Sequence, residues 1–148
     1  MEPNLSKPEL FYREIVAKPE NLILSNFKET LLWIYNECAD RKYHVIYDTA
    51  GNSPIAHAGH YSDGGGEIFL PSSTTGLNLL WDFIHEFGHL LLEKPSEKQK
   101  EKNCWERKAW EKGWEDTSRR WEMLNNYADF FKERQEYCLL SYKSCCRT

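Results

Sequence analysis

The sequence predicts an α+β fold. Three observations carry this. Residues 43–70 break into three short runs rich in β-branched and aromatic side chains, separated by clusters of Gly, Asn, Ser and Pro. Apolar helical patterns flank that region on both sides. A long, nearly continuous apolar stretch over residues 77–92 stops before Pro95. With 148 residues and 17.5 kDa, the chain has room for one domain spanning residues 1–148. Six Trp, eight Tyr and seven Phe make a solid core plausible at that size.

Taken in order, residues 8–17 read as a short helix with Ser6 as N-cap and Pro8 in the first turn. Residues 25–39 read as a second helix capped by Ser25. Tyr43-His44-Val45-Ile46-Tyr47 suits a strand, Ala50-Gly51-Asn52-Ser53-Pro54 a turn, and residues 55–61 a weaker strand. Asp63-Gly64-Gly65-Gly66 is another turn, and Glu67-Ile68-Phe69-Leu70 is a strand closed by Pro71. Three such strands joined by turns predict a small antiparallel meander. After Pro71-Ser72-Ser73-Thr74-Thr75 the pattern is helical to Glu93 and apolar on most of its circumference, the mark of a buried helix. Residues 97–116 and 117–141 are charged, Trp-studded and helical in pattern, with a bend expected near Gly113.

Composition excludes several classes of function. The net charge is −4. Residues 1–92 carry 12 acidic and six basic side chains, residues 93–148 carry 11 and 13. A mixed-sign second half is a solvated helix surface rather than a nucleic-acid face, so no nucleic-acid partner is expected. No stretch approaches a membrane span, and Met1-Glu2-Pro3-Asn4 has no signal-peptide character. Five irregularly spaced cysteines without a CxxC fit reduced thiols and a cytoplasmic location, with Cys145-Cys146 inert in the tail.

The chemistry lies in His85-Glu86-Phe87-Gly88-His89, an H-E-x-x-H motif within the apolar helix. On an α-helix, positions i and i+4 share a face one turn apart, so the two imidazoles can converge on one Zn²⁺. Glu86 is offset around the helix, beside the metal, where it can serve as general base on the activated water. Burying two His and a Glu in an apolar helix costs several kcal/mol unless they are compensated, and a metal provides the compensation.

No His follows His89, and the extended three-histidine pattern would need Gly and His where Leu92 and Pro95 stand. The third ligand is therefore expected to be a Glu from a following helix. Glu106 is favoured, because Ala109, Trp110 and Gly113 share its face and the small residues allow close helix approach. Glu111, about 140° around the helix from Glu106, and Glu115 remain as alternatives, and Cys104 is a weaker soft-ligand candidate.

Across residues 57–113 the chain resembles the ImmA/IrrE-like metallopeptidases. The resemblance rests on Gly66-Glu67-Ile68-Phe69-Leu70, on His85-Glu86-Phe87-Gly88-His89-Leu90-Leu91-Leu92, and on Glu106-x-x-Ala109-Trp110-x-x-Gly113. It implies a zincin-like domain of the gluzincin type, in which Glu106 completes the zinc site, of a kind found in bacteria, phages and mobile elements. It also implies cleavage of repressor-type regulators. The chain departs from the family pattern at Trp110, where Asn or Asp is common. The resemblance gives strand 67–70 a role as an edge strand that pairs with extended substrate, through Ile68 and Phe69.

Elsewhere, His57 and His60 are candidates to line a cleft or polarise a carbonyl, and Tyr61 or Tyr127 to donate to an oxyanion. Trp110, Trp114 and Trp121 share one helix face and are expected to pack a core. The expected architecture is a three-stranded antiparallel sheet packed on the HExxH helix, with further N- and C-terminal helices. The expected function is a zinc-dependent endopeptidase acting on a protein or peptide. The rival is a zinc-stabilised, non-catalytic protein-binding module.

Overall fold

The structure is a computed structural model that describes residues 5–50, 56–92 and 102–140. In chain order these form α1 (Lys7–Val16), a 3₁₀ helix (Pro19–Phe27), α2 (Lys28–Asp40), β1 (Tyr43–Asp48), β2 (His57–His60), β3 (Gly66–Pro71), α3 (Leu77–Leu91), α4 (Lys102–Arg120), a second 3₁₀ helix (Glu122–Tyr127) and α5 (Ala128–Leu139). The chain divides into two compact units, residues 1–83 and 84–148, with the division inside α3. The expected turn at residues 51–54, the stop at Pro95, the start of the helix predicted from residue 97, and Cys145-Cys146 lie outside the described residues.

In the first unit, α1 begins as its sequence dictates. The Ser6 hydroxyl accepts from the Glu9 amide at 3.4 Å, and Pro8 sits in the first turn, where its missing N–H costs nothing. Phe11 and Ile15, one turn apart, are buried, and the Phe11 ring lies 5.1 Å from Tyr35 and 5.5 Å from Phe83. The second helix is corrected. It starts at Lys28, and Ser25 is not its cap: the Ser25 hydroxyl donates to the Leu22 carbonyl within the preceding 3₁₀ helix. The reason is periodicity. Asn21, Leu24 and Phe27 are buried at a spacing of three, which a 3₁₀ helix lines up on one face and an α-helix does not.

The sheet is also corrected, from antiparallel to mixed. Its order is β1-β3-β2; β2 pairs antiparallel with β3, with His57 opposite Phe69, while β1 pairs parallel with β3, with Val45 opposite Ile68. The Gly-rich turn closes the β2–β3 hairpin, the Tyr61 amide donating to Gly65 O at 3.0 Å. At Gly65 φ is +74°, and a Cβ there would fall on the Lys42 carbonyl. That carbonyl accepts from the Gly66 amide, which starts the parallel pairing beside β1. Ile68 and Leu70 of β3 and Tyr47 of β1 are buried.

Asn21 ties this unit together. Its Nδ2 donates to Ile15 O at 2.9 Å and to the Tyr47 hydroxyl at 3.4 Å, and its Oδ1 accepts from the Gly76 amide at 2.7 Å. Lys18 adds a bond from Nζ to Ser72 O at 2.6 Å. The approach to α3 is thus pinned by polar contacts that leave the buried Asn satisfied.

In the second unit, the bend expected at Gly113 is absent. α4 runs continuously to Arg120, and the chain breaks at Trp121 before the second 3₁₀ helix. α4 packs against α5, with Trp114 stacked on Phe131 at 4.4 Å and Trp110 edge-on to it at 5.3 Å. Trp110 is buried as expected of a core residue, while Trp114 and Trp121 are half-buried. Cys104 is disulfide-bonded, which corrects the expectation of reduced thiols throughout, while Cys38 and Cys138 lie outside any disulfide. Among the described residues, no helix is long and apolar enough to cross a membrane.

Candidate metal centre

The HExxH helix and α4 lie at a distance that only small residues permit. A Cβ on Gly88 would fall on the Ala109 carbonyl oxygen, and one on Gly113 would fall on the Ile84 carbonyl oxygen. Ala109 between them is fully buried. Gly113 is therefore a contact point rather than a hinge, which is why the helix runs through it. This close approach brings Glu106, one turn before Ala109 and Trp110, to the imidazoles of α3.

One oxygen of Glu106 meets both rings. Oε2 lies 2.7 Å from His85 Nε2 and 2.8 Å from His89 Nε2. The two rings are 4.7 Å apart at their centroids. His85, Glu86 and His89 each offer a ligand atom, all within 4.8 Å of one another, and this group could hold a metal ion. The two carboxylates are placed differently. Glu86 Oε1 lies 3.4 Å from His85 Nδ1, the ring nitrogen on the far side from Nε2. Glu106 stands where the two Nε2 atoms converge. Glu111, by contrast, is exposed on the other side of α4.

Electrostatics follow from this geometry. Burial alone would raise the pKa of Glu106, but hydrogen bonds from His85 and His89 outweigh it and hold the carboxyl near 2, against an ordinary 4.5. Burial alone would lower His89, but the hydrogen bond to Glu106 and the charges of Glu86 and Glu106 leave it above its ordinary 6.5. An ionised carboxylate only accepts, so a proton on either Nε2 atom is donated to Glu106.

The donor set fits a metal of the zinc type: two imidazole nitrogens on one helix face, with a carboxylate oxygen beside both. Donors that share one zinc ion sit about 3.3 Å apart, so Glu106 Oε2 would need to part from each Nε2 atom by only about half an ångström. Cys104 is not an available thiolate, because it is disulfide-bonded.

The remaining predicted residues are placed as follows. β3 is the central strand, paired on both sides, so Ile68 and Phe69 do not lie on an edge that could accept an extended peptide. Ile68 is fully buried, and Phe69 stacks on His57 at 4.7 Å. That correction has a topological cause: β1 returns to the far side of β3 and uses up the hydrogen-bonding row that a substrate would need. Tyr61 donates to Glu67 Oε1 at 2.6 Å, and His60 Nδ1 bonds the Tyr43 hydroxyl at 2.6 Å. Tyr127 rests against Phe130, with ring centroids 6.4 Å apart.

Sequence reasoning missed one ring contact at the site. Trp110 lies flat on the His85 ring, centroids 4.3 Å apart and planes 3° from parallel. The signal was its position four residues after Glu106, which puts it on the same helix face as the carboxylate. No family model, curated protein or solved structure matches the chain.

Proposed function

We propose that the protein is a zinc-dependent endopeptidase, with His85, His89 and Glu106 as metal ligands and Glu86 as general base. The observation that carries this reading is the single Glu106 oxygen within hydrogen-bond distance of both Nε2 atoms of an HExxH motif. A bound zinc ion supplies Lewis-acid activation of water and stabilises negative charge on the carbonyl oxygen under attack. His85 and His89 present neutral nitrogen donors from one helix face. Glu106 adds a negative charge that stays ionised throughout the neutral range, since its pKa is near 2. Glu86 takes the proton of the attacking water on its carboxylate and returns it to the departing amide nitrogen. The HExxH motif in its buried helix and the small-residue contact that delivers Glu106 also support an ImmA/IrrE-like peptidase. On that reading the substrate is a regulatory protein.

Glu86→Gln tests the catalytic assignment. The variant should bind zinc as the wild type does and lose cleavage by roughly 10²- to 10⁴-fold. It should also retain proteins that the wild type cuts, identifiable by mass spectrometry of the captured material. A Glu86→Gln chain with undiminished biological activity would replace the enzyme with the zinc-stabilised binding module, which has no use for a base.

A further inference from the structure

We propose that Trp110 is the positioning residue for His85, holding the imidazole plane by stacking so that Nε2 stays aimed at the metal position. The inference rests on the metal-site reading above. A histidine that ligates a metal is usually fixed by a hydrogen bond at its other ring nitrogen. At His85 that nitrogen has only Glu86 Oε1 at 3.4 Å among the described residues, too long for a good hydrogen bond. What holds the ring is the indole, 4.3 Å away and within 3° of parallel. Trp110 itself packs edge-on against Phe131 at 5.3 Å, and the backbone of the adjacent Ala109 lies against Gly88. Its indole N–H has no hydrogen-bond partner among the described residues, so packing and stacking set the ring, not a polar bond.

The arrangement is specific to one ligand. Among the described residues His89 has no such plate; Trp105 is tilted by 44° with its centroid 6.1 Å away. The indole face is electron-rich, and an imidazole that has given its lone pair to a cation is electron-poor, so the contact strengthens when metal binds.

The test compares Trp110→Phe with Trp110→Leu in the full chain, using Zn²⁺ by chelator competition and Co²⁺ by visible absorption. Trp110→Phe keeps an aromatic plate and should stay within roughly threefold of wild-type affinity, with the wild-type Co²⁺ spectrum. Trp110→Leu should bind roughly 10- to 100-fold more weakly, with an altered spectrum. A residue that only fills the core would lower the unfolding temperature of both variants and leave affinity and spectrum of the folded protein unchanged, and that result overturns the proposal. Should Trp110→Leu fail to fold, NMR of the wild type decides. The His85 ring protons should be displaced upfield by the indole ring current with and without zinc, and those of His89 should not; undisplaced His85 resonances overturn the proposal. A wild-type chain that takes up neither ion defeats the proposed function and this inference together. Wild-type affinity in Trp110→Leu defeats this inference alone.

Discussion

Glu106 makes two demands on the molecule, and they have opposite pH signatures. Its carboxylate is hydrogen-bonded to two imidazoles. Its pKa is depressed to about 2 from 4.5, so its contribution to stability is complete above about pH 4.5 and lost as pH falls towards 2. His89 is raised above 6.5, so its contribution is complete below about pH 6.5 and lost as pH rises through its folded value. Thermal unfolding of chelator-treated protein should therefore show its greatest margin over Glu106→Ala between about pH 4.5 and 6.5. Metal binding reverses the trend on the alkaline side. The His89 imidazolium must surrender a proton before it can ligate, so zinc affinity should rise with pH across the His89 titration, with proton release on uptake visible by calorimetry in two buffers. Glu106→Ala should lose zinc; full occupancy in that variant would move the third ligand elsewhere. At this scale the candidate site was largely legible, because HExxH spacing and the Glu-x-x-Ala-Trp-x-x-Gly face are periodic signals. The stacked indole was not, since a sequence gives a ring's helix face but not the plane it adopts.

At the scale of elements, the contact between α3 and α4 is made by main chain. Gly113→Ala in an ordinary helix interior would stabilise by about 1 kcal/mol. Here the new methyl meets the Ile84 carbonyl, which cannot rotate away, and overpacking of this kind costs about 1–3 kcal/mol or more. The expected outcome of Gly113→Ala is net destabilisation in urea together with weakened zinc binding; a stabilised variant would show that the helices part freely. The same glycine explains one sequence-level miss, a hinge expected where the structure has a contact. Ser25 explains another: its hydroxyl suits a cap, but the three-residue burial of Asn21, Leu24 and Phe27 carries the 3₁₀ helix past it. The β2–β3 hairpin could be read from its glycines. The parallel pairing of β1 could not, because nothing local in Tyr43–Asp48 says which strand it will meet.

At the scale of the whole molecule, all the proposed ligands belong to residues 84–148, while the sheet belongs to residues 1–83. Zinc at a hundred times its dissociation constant adds about 2.7 kcal/mol to whatever unit binds it. Amide hydrogen exchange should follow that division: chelation should speed exchange in α4 and the second half of α3, with β1 and β3 unchanged. Uniform change across both units would mean that the ion stabilises the chain as one cooperative body. The glycine-mediated contact has one more consequence. The spacing between α3 and α4 is set by carbonyl oxygens resting on bare α-carbons, so it depends on no rotamer and no ion. On the proposed reading the ligand cradle would therefore be assembled before an ion arrives, with little ordering entropy left to oppose capture. A site built this way should be emptied and refilled without unfolding, at a rate governed by ligand deprotonation and ion supply rather than by chain motion.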